Sequence, residues 1–156
     1  MISSDNHSNK ALEPPSSRSQ NYLDKALDLA RANPIKELPK MAAILTDGRQ
    51  SFVGLNRLKS HPLQKKFAKH PSGIYVHAEI AAIVKALRWH GIAACRWRAN
   101  SEEVDYPSRF ENYTLYVARA RNSGQAGLAK PCEGCLSALA AFGIRDVQWT
   151  HDYHAH

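Results

Sequence analysis

The chain of 156 residues is long enough for one compact domain with a core of its own and too short for two ordinary ones. With 44% hydrophobic and 22% charged residues it excludes wholesale disorder, and no apolar run approaches the roughly 20 residues that a membrane-crossing helix needs. The formal charge of +7 favours an anionic partner, whether nucleotide phosphate, nucleic acid or an acidic protein, without choosing among them.

Residues 1–20 are rich in Ser, Asn and Pro and carry no charged-then-apolar signal pattern, so they are expected to form a flexible tail. The three cysteines give no even disulfide framework, which fits a reducing, cytoplasmic compartment. Tyr22, Leu23, Ala26, Leu27 and Ala30 recur at helical spacing, with Ser19 or Asn21 as cap and Pro34 beyond the end. Two apolar runs, near 40–46 and 50–55, flank Asp47-Gly48 and predict a hairpin with a tight turn. Between Asp47 and Glu79 there is no acid, while Arg49, Arg57, Lys59, Lys65, Lys66 and Lys69 are present. Such a segment reads equally as a solvated loop or as a phosphate attractor. The steps His61-Pro62 and His70-Pro71 predict a long loop with one helical turn over Leu63–Lys69.

The segment HAEIAAIVKALRWHG is the clearest helix, with Ile80, Ile83, Val84 and Leu87 on one stripe and Gly91 as a left-handed stop. Residues 92–110 lose periodicity and are expected to be a surface insertion, with Trp89 and Trp97 as packing residues and Cys95 a bystander thiol. Tyr113–Arg119 reads as a strand, RNSGQAGLA as a flexible loop, the segment from Cys132 as a helix stopped by Gly143, and Ile144–Thr150 as a last strand. The ordered domain is thus expected over 21–150, with a second tail at 151–156. Helices and strands in this order favour an α/β or α+β layered domain in which helices cover a mixed sheet.

Two segments carry chemistry, and each opens a helix: His77-Ala78-Glu79 and Pro131-Cys132-Glu133-Gly134-Cys135. Cys132 and Cys135 are three residues apart, share one helical turn and reach a single ion. A CxxC pair alone also suits a disulfide, a redox couple or half of a structural zinc site. One His with two Cys leaves a tetrahedral zinc with one open position, as a catalytic zinc requires.

His77-Ala78-Glu79 followed 55 residues later by Pro131-Cys132-Glu133-Gly134-Cys135 resembles the zinc-dependent cytidine and deoxycytidylate deaminase superfamily, whose H-x-E and P-C-x-x-C pattern is general knowledge. The resemblance covers residues 21–150, and the first helix, the hairpin ending Gly54-Leu55-Asn56, both motif helices and both later strands arrive in family order. It implies a three-layer α/β cytidine-deaminase-like fold, a mixed central sheet covered by helices. It implies Zn2+ held by His77, Cys132 and Cys135, with zinc hydroxide attacking C4 of a cytosine ring. Glu79 would relay protons as general acid and base, worth roughly 10²–10⁴-fold. Asn56 would bind the sugar hydroxyl or the base, and the backbone N–H groups of Ala78 and Cys132 would add donors.

The first expectation is therefore hydrolytic deamination of a cytosine nucleoside or nucleotide to the uracil form, in a protein that does not enter membranes and forms homo-oligomers as related enzymes do. The second is editing of a cytosine or adenine within single-stranded RNA or DNA, for which Lys65, Lys66, Arg119, Arg121 and Trp97 would supply a basic, aromatic groove. A non-catalytic zinc-stabilised nucleic-acid-binding module or a redox CxxC protein stands third. Two departures bear on specificity: Arg119–Lys130 intervene between the strand TLYV and the cysteines, and about one strand follows the second motif helix.

Overall fold

The computed structural model describes residues 16–69, 75–91 and 110–152. Along the chain it has helix α1 (Ser17–Arg31), strands β1 (Lys40–Thr46) and β2 (Ser51–Leu55), helices α2 (Pro62–Phe67) and α3 (Ala78–Trp89), strands β3 (Thr114–Ala120) and β4 (Ala126–Gly127), helix α4 (Glu133–Ala141) and strand β5 (Asp146–Trp149). The expected insertion over 92–110, with Cys95 and Trp97, lies outside the described residues except for Phe110.

The sheet runs β2-β1-β3-β4, and β5 joins the same edge of β3 as β4 does. β1 pairs antiparallel with β2 and with β3, whereas β5 runs parallel to β3 from Thr114↔Asp146 to Val117↔Trp149. β4 takes over that edge where β5 ends, pairing Arg119↔Gly127 and Ala120↔Ala126. Thr150 joins the two short strands: its N–H donates to the Val117 carbonyl, its hydroxyl to the Gly127 carbonyl, and its Oγ1 accepts the Arg119 N–H. The sheet is mixed, as expected.

Strand alternation sorts the side chains into two cores. Ala42, Ile44, Tyr116, Ala118 and Ala120 face α1 and its Leu23, Ala26 and Ala30. Ala43, Leu45, Leu115 and Val117 face the opposite way, against Ile80, Ile83 and Leu87 of α3 and Ala138 and Leu139 of α4. Both faces are covered, which is why Ala42–Thr46 are buried in succession instead of alternating. The layers are helix, sheet, helices.

Several local expectations are met and several are corrected. Gly91 and Gly143 end their helices at φ +72° and +76°, the left-handed geometry that glycine adopts without a Cβ penalty. The helix expected from Ser19 or Asn21 begins earlier, at Ser17, because Ser16 Oγ accepts the Ser19 N–H, so residues 17–20 are helical and not tail. The β1–β2 connection is longer than the expected tight turn: four residues separate the paired Thr46 and Ser51, only Gly48 has a positive φ, and Asp47 Oδ1 accepts the N–H groups of Arg49 and Gln50, each at 2.8 Å. The loop RNSGQAGLA is a short hairpin built on β4, its turn held by a 2.6 Å bond from Arg31 Nε to the Gly124 carbonyl. Trp89 is no core residue; it is 65% exposed and touches Phe52 at its edge. At the C-terminal end, Asp152 pairs with Arg121 at 3.1 Å, so the chain stays tied down through residue 152.

Candidate metal centre and active site

Two helices begin side by side, and their capping positions hold the chemistry. His77 is the N-cap of α3, in extended conformation, yet its side chain makes no capping bond. The ring turns instead towards α4, where Nδ1 lies 3.2 Å from Cys135 Sγ and 3.6 Å from Cys132 Sγ. Cys132 is the N-cap of α4 and accepts the Cys135 N–H at 3.5 Å, which keeps both sulfurs on the first turn. The three ligand atoms all lie within 4.8 Å of one another. A tetrahedral zinc with Zn–S of about 2.3 Å and Zn–N of about 2.0–2.1 Å separates its ligand atoms by about 3.6–3.8 Å, so the donor set has the size and chemistry that Zn2+ needs. Among the described residues this is the one such cluster of His, Cys, Asp and Glu.

Hydrogen bonds shared within the cluster shift its two thiols in opposite directions. Bonding from Cys135 and from His77 holds the Cys132 thiol down to about 3, and the same sharing, aided by burial, pushes Cys135 far up. The interaction with Cys132 raises His77 against the opposing effect of its burial. Glu79 is 3% exposed, and burial raises its carboxyl, opposed by its own backbone N–H and by His77. A buried acid two residues beyond His77, with its affinity for a proton raised, is suited to accept and return protons.

Close backbone contacts put the two helix starts in place. Gly54 of β2 lies against the first turn of α3; a Cβ there would fall onto the Ala78 carbonyl oxygen and the Ala82 nitrogen. Gly134, between the two cysteines, has the Phe67 carbonyl where its Cβ would stand. The short helix α2 thus leans on α4, and its Gln64, 2% exposed, accepts the His77 N–H through Oε1 at 3.0 Å. Gln64 escaped the sequence reading, because one glutamine on a six-residue helix carries no periodic or motif signal. The only hint was the short apolar and polar run after Pro62.

Ala78 is fully buried at the first turn of α3. Asn56 is 7% exposed and ties strand ends together: Oδ1 accepts Met41 N–H at 3.1 Å and Asn33 Nδ2 at 2.8 Å, while Nδ2 donates to the Pro39 carbonyl at 2.7 Å. Both acceptor sites of its oxygen are filled, and one Nδ2 hydrogen remains. Of the basic residues expected to form a groove, Arg119 and Arg121 lie together at the end of β3, Lys65 and Lys66 sit on α2, and Trp97 lies outside the described residues.

The fold is similar to that of a solved phage protein. The crystal structure of dCMP deaminase from the cyanophage S-TIM5 in apo form is 18% identical, with a TM-score of 0.50, over 90% of this chain and 88% of that one. The same cyanophage protein in complex with dCMP and dUMP is 17% identical, with a TM-score of 0.49, over 88% and 83% of the two chains. No curated protein sequence matches the chain. The family model for the cytidine and deoxycytidylate deaminase zinc-binding region matches residues 16–151, nearly the whole described domain and both helices that carry His77, Cys132 and Cys135 at their starts. The chain belongs to the cytidine and deoxycytidylate deaminase family.

Proposed function

We propose that this protein hydrolyses the exocyclic amino group of a cytosine nucleoside or nucleotide, giving the uracil form and ammonia. The observation that carries this reading is the buried Glu79 beside a convergent His77, Cys132 and Cys135 at two adjacent helix N-termini. Zn2+ held by those three residues would supply Lewis acidity that lowers the pKa of water to about 7. Glu79 takes one proton of the attacking water and delivers it to ring N3, then takes the second from the resulting C4 hydroxyl and passes it to the amino group, which leaves as ammonia; its burial keeps the carboxyl ready to hold each proton in turn. The N–H groups of Ala78, the first residue of α3, and of Cys132, the N-cap of α4, orient the base, since helix N-termini leave such donors for a ligand. Asn56 contributes the one Nδ2–H that its structural bonds leave over, placed at the end of β2 for the sugar.

Purified protein incubated with deoxycytidine, dCMP and a single-stranded oligonucleotide, followed by cytosine-to-uracil conversion and ammonia release, tests the reading. The expected result is turnover of a free nucleoside or nucleotide with one zinc per chain. Activity on the oligonucleotide alone, or full activity of Glu79→Gln, would overturn it.

A further inference from the structure

The β3–β4 hairpin that separates the strand TLYV from the cysteines forms one wall of a cavity of about 270 Å³, lined by Pro39, Lys40, Arg119, Ala120, Arg121, Asn122 and Ser123. Three of these side chains are cationic, and none is a carboxylate. Arg119 and Arg121 project to the same side of β3, their stems packed along Gly127, where a Cβ would stand only 3.1–3.3 Å from them. Arg121 has an anionic partner, Asp152 at 3.1 Å. Arg119 differs: its Nε is buried and, among the described residues, without a hydrogen-bond partner. An orphaned guanidinium N–H in a buried place carries a desolvation cost that an anion would remove.

The cavity also adjoins the candidate substrate site. Pro39, on its rim, is the residue whose carbonyl Asn56 holds, and the hairpin that forms its wall runs on through Ala129 into Pro131 and Cys132. Arg119 continues the strand face of Leu115 and Val117, the face covered by α3 and α4. We infer that Lys40, Arg119 and Arg121 form a subsite for the terminal phosphate monoester of a free nucleotide. The inference rests on the proposed deamination and deepens it by choosing nucleotide over nucleoside. A guanidinium presents parallel N–H donors matched to phosphate oxygens, and two cations beyond the one engaged by Asp152 balance the two charges of a monoester. A phosphodiester strand carries one charge per phosphate and needs a groove to follow, whereas this cavity is local and of a size for one small group.

The test compares kcat/KM for dCMP and deoxycytidine in the zinc-loaded wild type, Arg119→Gln and Lys40→Gln, with binding of inorganic phosphate measured calorimetrically on the same proteins. Wild type should prefer dCMP, and Arg119→Gln should lower the dCMP-to-deoxycytidine ratio by roughly 10–100-fold, the span of one or two charge-assisted hydrogen bonds, and weaken phosphate binding in step. Arg119→Lys, which keeps the charge and loses the fork, should fall between. An unchanged ratio in a folded Arg119→Gln, or phosphate binding that the substitution leaves intact, overturns the subsite while deamination stands. If neither compound is turned over, the proposed deamination fails, and the phosphate titration still decides whether the cavity takes an anion. Tight binding of an oligonucleotide that depends on Arg119, with no preference for dCMP, overturns the monoester assignment.

Discussion

The two faces of the sheet use the same structural position, the helix N-cap, for opposite purposes. On the α1 face, Ser16 caps its helix with its own side chain, and the layer beneath is small and apolar, closed by Tyr22 stacked on Tyr116 at 4.9 Å. On the other face, His77 leaves its helix uncapped, and the Cys132 sulfur, which caps α4 through the Cys135 N–H, is shared with His77. A capping residue stabilises a helix by satisfying its first N–H groups. A ligand at that position gives up some of this stabilisation, and the neighbouring elements hold the helix start instead: β2 through Gly54, and α2 through Gln64 and the Phe67 carbonyl. α1 is held by its own cap, whereas α3 is held by its neighbours.

This contrast breaks hardest at Glu79. Glu79→Gln should lower deamination by roughly 10²–10⁴-fold while zinc content, measured by metal analysis, stays at one per chain. Loss of the metal together with activity would mean that Glu79 holds the centre together and moves no proton. The neighbour-held face is probed next by Gln64→Met, which keeps the volume and removes the acceptor for the His77 N–H. Zinc affinity, read by competition with a chromogenic chelator, should drop about 10–100-fold, as it does when outer partners of metal ligands are removed, with the helical circular dichroism preserved. Unaltered affinity would show that α2 merely packs there.

Gly54→Ala sharpens the comparison from the β2 side. The added methyl has no room against Ala78 and Ala82, and overpacking of this kind costs typically 1–3 kcal/mol. Denaturant melts should show that loss in the apo protein, with zinc affinity falling alongside because α3 is displaced. The smallest effect belongs to the self-capped face: Ser16→Ala should cost about 1 kcal/mol in the same melts and leave zinc affinity and kcat/KM unaltered. A change in metal binding there would erase the distinction between the faces.

Most of the secondary structure was legible because it is set within a few residues. The stripe Ile80, Ile83, Val84 and Leu87 marks α3, and Gly91 and Gly143 mark helix ends by the one backbone angle that suits glycine. The hairpin over 126–127 was illegible for the complementary reason. Ala126 and Gly127 carry no strand preference, and they pair only because the end of β3, beyond the reach of β5, leaves an edge for them. Trp89 misled the reading because its type predicts burial, whereas its place at the last turn of α3 leaves it at the surface.

By itself the sequence determined the donor set, since His, Cys and Cys at the starts of two helices leave little other chemistry for that pattern, and it determined the order of elements that presents them. Only the tertiary structure decided how those donors meet. The approach of His77 Nδ1 to two sulfurs 55 and 58 residues away depends on two glycines too small to obstruct backbone, on a buried glutamine from a six-residue helix, and on Asn56 fastening the ends of β1 and β2. Such contacts join residues distant in the chain, and their energies come from packing and desolvation, which no local periodicity records.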